Sequence, residues 1–324
     1  MTDDDELEHL DELVRRADLD ALVRSVEIWQ RQGAWGLLLA TRDRCRAAVA
    51  TGRQLWPVAT LAEYRLALHA PASWAACVLD EHSGRFTIGP LTEVVAQGHR
   101  FAELAPHLDD PVRAGFVAHE CAARGEQIAG EVFEPLGIPF RRQPWEPPTP
   151  LAEYGDDGVH APSPDRPRGG VRHPLDIADV LDDPEVDEAV RQLFSTWTVD
   201  SDGRVEVVCV EGTASAAVGA LGINEAALTS IPHSDALAWL VWAGASGAAH
   251  GRRRGTAAGR LAMWWLVAAL GDTSPDDLDG MAEAAAALTW SWWDAGEPSL
   301  GWEVQLAVED REGCAWAISA HDAG

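Results

Sequence analysis

The chain has 324 residues, nearly half of them hydrophobic, and a formal net charge of −27. That length allows two domains, or one with a helical extension, and that apolar content excludes a chain disordered throughout. Fifty-two carboxylates against 25 bases disfavour nucleic-acid backbones and anionic membranes as partners and favour a basic protein.

Every base outside histidine is arginine, because the sequence has no lysine, and Asn224 is its single asparagine. Codon bias in a GC-rich genome explains both. Selection against a lysine-directed modification would explain only the first. The acidic opening Thr2-Asp3-Asp4-Asp5-Glu6 fits neither a secretory nor a mitochondrial leader, and the apolar run Leu261 to Leu270 is too short to cross a bilayer. The five cysteines, Cys45, Cys77, Cys121, Cys209 and Cys314, stand far apart with no C-x-x-C pair. They read as reduced thiols of a cytoplasmic protein, with no metal and no bridge.

Residues 1–142 read as consecutive helices. Leu7, Leu10, Leu13 and Val14 recur at helical spacing, and Leu19, Leu22, Val23 and Val26 continue the pattern after Asp18, a natural N-cap. A third helix is expected after Gly33, running to about Gly52. A fourth holds Val58, Leu61, Tyr64, Leu66 and Leu68 and stops before Pro71, and others fall around 74–79, 91–104 and 112–123. Short helices with short turns suggest a helical repeat or bundle, with no strict period.

Residues 143–183 hold Pro144, Pro147, Pro148, Pro150, Pro162, Pro164, Pro167 and Pro174, which remove backbone donors and block helix. This segment is expected to be a linker or strap anchored by Trp145, Leu151 and Tyr154. From residue 184 to 324 the pattern is mixed. Helices are expected over 186–193, 214–221, 236–245, 257–270 and 276–288, and a β-branched strand over 204–210. Residues 302–308 and 314–318 alternate about the turn Asp310-Arg311-Glu312-Gly313, a hairpin with one buried face. The fold class is therefore α-rich α+β. A helical array is followed by a small antiparallel sheet packed on buried helices.

The densest positive charge lies in Ser246–Thr256, between two apolar helices. Glycines at 247, 251 and 255 would turn amides outward, and Thr256 would cap the next helix. His250, Arg252, Arg253, Arg254, Thr256 and Arg260 are thus candidates to hold a phosphate or carboxylate. The competing reading is that these arginines pair with the chain's own acids. The segment lacks the lysine of a phosphate loop. His119-Glu120 lacks the second histidine of a zinc-hydrolase motif, since position 123 is alanine. The aromatic run around Trp292, Trp293, Asp294 and Glu297 suits either core packing or a stacking surface with an acid pair. Neither a serine elbow nor a dinucleotide fingerprint is present, and no cofactor is implied.

Several stretches carry a resemblance, Leu288-Thr289-Trp290 among them. Gly255-Thr256-Ala257-Ala258-Gly259-Arg260-Leu261-Ala262-Met263-Trp264-Trp265, with the closing Ala317-Ile318-Ser319-Ala320-His321-Asp322, resembles an uncharacterised actinobacterial protein family, a domain of unknown function. There a glycine-rich loop with a His-Gly step precedes a G-R-L-x-x-W helix. Phe86 to Val94 is similar to text in the same proteins, so that about a third of the chain is covered. The resemblance implies no activity, cofactor or catalytic residue. The leading expectation is an acidic scaffold or interaction protein that binds a basic partner. The alternatives are an enzyme or sensor for a small anion at 246–260, and an inhibitor or immunity protein.

Overall fold

A computed structural model describes residues 3–80, 86–148, 150–167, 169–296 and 301–323. The chain divides into two compact units, Met1–Pro135 with Ala152–His160, and Leu136–Leu151 with Ala161–Gly324. The proline-rich segment is therefore shared between them, and its residues 152–160 belong to the helical unit. Among the described residues no helix is long and apolar enough to cross a membrane.

The first unit is helical. Its helices are α1 (Asp3–Arg16), α2 (Leu19–Gln32), α3 (Trp35–Ala50), α4 (Trp56–His69), α5 (Ala72–Ala76), α6 (Leu91–Gly98), α7 (Phe101–Leu104) and α8 (Pro111–Ala123). Local chemistry sets the ends. The Asp18 carboxylate accepts the Ala21 amide to start α2, and Gly33, at φ 69°, ends it in the left-handed conformation. Asp110 accepts the amide of Val112 ahead of α8, with Pro111 as its first residue. Many of the apolar residues expected to point inward do so, while Leu19 is 39% exposed and Leu7, Leu61 and Leu68 are half-buried. Leu10, Leu22, Val26, Leu38 and Leu66 are fully buried, each side chain contributing about 1.5–3 kcal/mol.

A small hairpin, β1 (Glu153–Gly155) with β2 (Gly158–His160), closes this unit. The Gln97 side chain both accepts the Tyr154 amide and donates to its carbonyl, as a neighbouring strand would. Tyr154 Oη donates to the buried Glu93 carboxylate at 2.5 Å, Tyr64 Oη donates to the Gly155 carbonyl, and Arg65 pairs with Asp156. These bonds, two of them to a carboxylate, satisfy groups that would otherwise be costly to bury.

The second unit is α+β. It contains strands β3 (His173–Pro174), β4 (Val180–Leu181), β5 (Arg204–Glu211), β6 (Glu225–Ile231), β7 (Thr289–Asp294), β8 (Trp302–Glu309) and β9 (Cys314–Asp322). Its helices are α9 (Pro184–Leu193), α10 (Ser195–Val199), α11 (Ala214–Ala220), α12 (His233–Ala245), α13 (Thr256–Leu270) and α14 (Leu278–Ala287). The strands form one antiparallel sheet in the order β3-β6-β7-β8-β9-β5-β4. One face packs on α9, α12 and α13 through Trp264, Trp290, Trp292, Leu306 and Ile318. The other packs on α11 through Ala216, Ala217, Val218, Trp293 and Ala317. The expected C-terminal hairpin is β8–β9, with Leu306 opposite Ile318. Aromatic pairs knit the first face. Trp239 and Trp292 lie 4.9 Å apart, and Trp242 stacks on Trp302 at 5.0 Å. Such pairs add about 0.5–1.5 kcal/mol beyond their burial.

Residues 166–181 bind the sheet as a belt. Arg166 lies over Trp292 and pairs with Glu303. His173-Pro174 then adds to one sheet edge and Val180-Leu181 to the other. Between them the Asp176 amide bonds Ser215 of α11. Two-residue strands, one of them containing proline, leave little edge for another chain to extend. Ile177, 96% exposed, rides on the outside of this crossing.

Candidate functional site

The arginine-rich loop joins α12 to α13. Its base is buried. Thr196 donates to the Ser246 carbonyl at 2.8 Å, and the Trp197 indole donates to Ser246 Oγ. The loop's amides are then taken up one by one. Asp322, 1% exposed at the end of β9, accepts the Ala249 amide at 3.1 Å and the Ser201 hydroxyl at 2.5 Å. Ser201 Oγ in turn accepts the His250 amide, while the Arg254 and Gly255 amides go to the Ala245 carbonyl. An anion nest needs outward-facing amides. These four face protein acceptors instead. The cap position of α13 falls on Gly255, at φ 95°, and Thr256 is the first helical residue, buried. The expected Thr256 cap is corrected, since the cap falls on Gly255, and of the three glycines expected to turn amides outward Gly255 turns its amide inward to Ala245.

The basic side chains diverge. Arg260 is 8% exposed and points into the core. Its Nε and Nη2 fork onto Glu146 at 2.5 and 2.7 Å, its Nη1 donates to the Pro139 carbonyl at 2.6 Å, and its guanidinium sits over Trp264. Arg254 turns to the end of α9, donating to the Gln192 carbonyl and to Ser195 Oγ. It makes no ion pair among the described residues. Arg253 and Thr256 line a cleft with Trp242 and Pro162, whose free volume is about 10 Å³, room for one water. Arg252 and His250 are exposed. The structure does not gather the six residues into one cradle.

The aromatic run is strand β7, in the middle of the sheet. Its tryptophans belong to opposite faces: Trp292 packs on Trp239, and Trp293 donates to the Ile318 carbonyl on the α11 side. Both are buried, so they form no common stacking surface. Asp294 accepts the Gly296 amide, and Glu297 lies outside the described residues. His119 and Glu134 pair at 2.6 Å inside the helical unit. Among the described residues no group of three His, Cys, Asp or Glu side chains could hold a metal ion.

All five cysteines are free thiols. Burial pushes Cys45 and Cys121 up to about 12 and Cys209 up to about 11, so their thiolates are scarce at neutral pH. Cys77 alone is exposed. Alkylation of the native protein should therefore modify Cys77 first and spare Cys45 and Cys121 until denaturant is added. Intact-mass spectrometry reads the adducts, and rapid native labelling of Cys45 or Cys121 would contradict these environments.

Sequence reasoning missed one exposed feature. Trp56, at the start of α4, is 43% exposed and Phe86 is 54% exposed, yet their rings lie 5.1 Å apart. Ile88, two residues on, is also exposed. A Trp-Pro step opening a helix carried no sign that the indole would face outward.

The molecule is thus a helical unit joined to a belted, tryptophan-rich α+β unit, with no convergent catalytic constellation among its sequence candidates. The chain belongs to DUF6183, a family of unknown function, which matches residues 20–323 and so covers far more than the stretches that carried the resemblance. No curated protein and no solved structure matches it.

Proposed function

We propose that this protein is an interaction module whose helical unit engages a basic protein partner. The observation that carries the reading is the Trp56–Phe86 pair, two large aromatic rings packed together at a tilt and left half in solvent. Exposed aromatic anchors supply most of the energy in protein interfaces, because their area is large and their conformational cost low. The net charge of −27 supports the choice of partner. It steers a basic surface toward the chain and accelerates encounter. The exposed acids of α1, Asp4, Asp5, Glu8 and Asp11, add to that field.

Capture with immobilised full-length protein tests this reading. A partner should be retained at low salt and reduced at high salt, since exposed charge is screened beyond about 8–10 Å at 0.1–0.15 M. Trp56→Ala should weaken retention by about 2 kcal/mol, the cost of removing an interface hot spot. Circular dichroism should show the variant folded, because the side chain is half exposed. Retention that neither salt nor Trp56→Ala alters would overturn the proposal.

A small anion near the loop stays as a second reading on one observation. Arg254 is exposed with no carboxylate partner among the described residues. Phosphate-dependent melting of wild type and Arg254→Ala separates that reading from the first.

A further inference from the structure

We infer that the belt crossing the α11 face is a second docking surface, which takes a basic segment of a partner protein on two outward apolar side chains bordered by unpaired acids. It is independent of the Trp56–Phe86 pair, which belongs to the other unit.

The belt is pinned from beneath. Leu175 and Ala178 pack on the apolar cluster of α11. Between them the Asp176 amide bonds Ser215 Oγ. The Asp176 carbonyl lies against α11 at Gly219, where a Cβ would run into its oxygen. With Leu175 and Ala178 turned in, Ile177 is turned out and almost wholly exposed. Val180 follows three residues later, its Cα within about 11 Å by the reach of the chain. It is 59% exposed. Its register partner is Val210, a member of the α11 cluster, so Val180 stands on the same face of the sheet as the crossing. Single exposed apolar residues are ordinary on a surface. Here two branched side chains are held outward on backbone that the fold has already ordered. Contacts made by ordered groups lose little entropy on binding.

Charge selects the occupant. Asp176, Asp179 and Asp182 alternate with the apolar residues, all three exposed, and none makes an ion pair among the described residues. The described arginines on either side are engaged, Arg172 with the Ala295 carbonyl and Arg191 with Asp187. The uncompensated carboxylates repel an acidic partner or an anionic membrane and attract lysine and arginine. The edge strand β4 is two residues long, too short to be extended by a partner strand, so docking uses side chains. The complementary occupant is a segment whose apolar residues are bordered by bases.

Fluorescence anisotropy of labelled synthetic peptides with the full chain tests it. The probes are a leucine–lysine amphipathic peptide, its leucine–glutamate counterpart and an oligolysine of equal charge. The leucine–lysine peptide should bind about tenfold or more tighter than oligolysine, as burying branched side chains predicts. The leucine–glutamate peptide should not bind. The double variant Ile177→Ser with Val180→Ser, at exposed positions that leave the fold intact, should erase the advantage over oligolysine. Asp179→Asn should weaken binding and flatten its salt dependence, whereas Trp56→Ala should keep the advantage. The inference fails if the leucine–lysine peptide gains nothing over oligolysine, or if the double variant binds it as wild type does. Loss of the advantage in Trp56→Ala alone would place docking on the helical unit and equally overturn it. Phosphatidylcholine vesicles should not bind; vesicle binding that depends on Ile177 would assign a lipid surface in place of a protein.

Discussion

Replacing Arg260 by alanine is expected to destabilise the second unit by about 3–5 kcal/mol, the usual cost of stranding one half of a buried ion pair. The argument rests on what the guanidinium holds together. It forks onto Glu146, whose side chain is 2% exposed, and donates to the Pro139 carbonyl. Through Glu146, which accepts the Gln143 amide, it fixes the stretch that also delivers Trp145 against Trp264. Removing Arg260 leaves the Glu146 charge without its partner in a place water does not reach. Glu146→Ala should cost a similar amount. The pair Arg260→Met with Glu146→Leu should recover much of the loss, because a buried ion pair repays its desolvation poorly and shape-matched apolar residues avoid it. A double-mutant cycle by urea unfolding, read by tryptophan fluorescence, measures the coupling. A loss below about 1 kcal/mol for Arg260→Ala, the range of exposed pairs, would mean that the clamp is open to solvent. Phosphate should not alter the loss, because these donors are occupied from within.

Arg260 also shows where sequence reading ends. Spacing gave most helices of both units, though not α10 nor the break between α6 and α7, because Leu10, Leu22, Leu66 and the apolar run of α13 follow a 3.6-residue period that burial then uses. It also gave β8 and β9, whose inward residues alternate. It did not give β7. Thr-Trp-Ser-Trp-Trp-Asp lies in mid-sheet with helices on both faces, so neither face needs to be polar and the period of two is lost. Nor did it give β3 and β4, which are two residues long and exist only because the belt meets the sheet edges.

The candidate site was legible as composition and illegible as geometry. Only five residues lie between Arg254 and Arg260, yet one faces solvent and the other is buried. That difference comes from α13, which begins at Thr256 and turns Arg260 inward to a carboxylate 114 positions earlier in the chain. Likewise the loop's glycines suggested free amides. What consumes two of those amides is Asp322, near the far end of the sequence, and its partner Ser201. Partners at such separations leave no local signal.

The largest effect is expected from a side chain added where α12 crosses α13. Gly259 is interior to α13, where glycine is about 1 kcal/mol less favourable than alanine. Propensity alone would make Gly259→Ala stabilising. Packing reverses the sign. A Cβ at this position would run into the Val241 carbonyl oxygen and lie 2.7 Å from the Ala245 amide, both backbone atoms of α12. Gly244 faces it across the crossing, 3.2 Å from the Gly259 Cα by the same measure. A flexible side chain could yield to an intruding methyl, but backbone cannot, so the two helices must separate. Both carry the tryptophans of the main core, Trp239 and Trp242 on one and Trp264 on the other, and separation loosens those contacts with the sheet. Overpacking of a core costs about 1–3 kcal/mol, and a helix displaced bodily exceeds that range. Gly259→Ala is therefore expected to destabilise by at least about 2 kcal/mol net of propensity, and Gly259→Val to leave little folded second unit at all. Ala258→Val tests the cause, since that neighbour is only half-buried and a β-branched residue there costs a few tenths of a kcal/mol in propensity. Circular dichroism melts of the three variants decide between the two forces. A Gly259→Ala protein that melts higher than wild type would show that the helices do not approach this closely. The tryptophan core would then have to be held by the sheet and the belt alone.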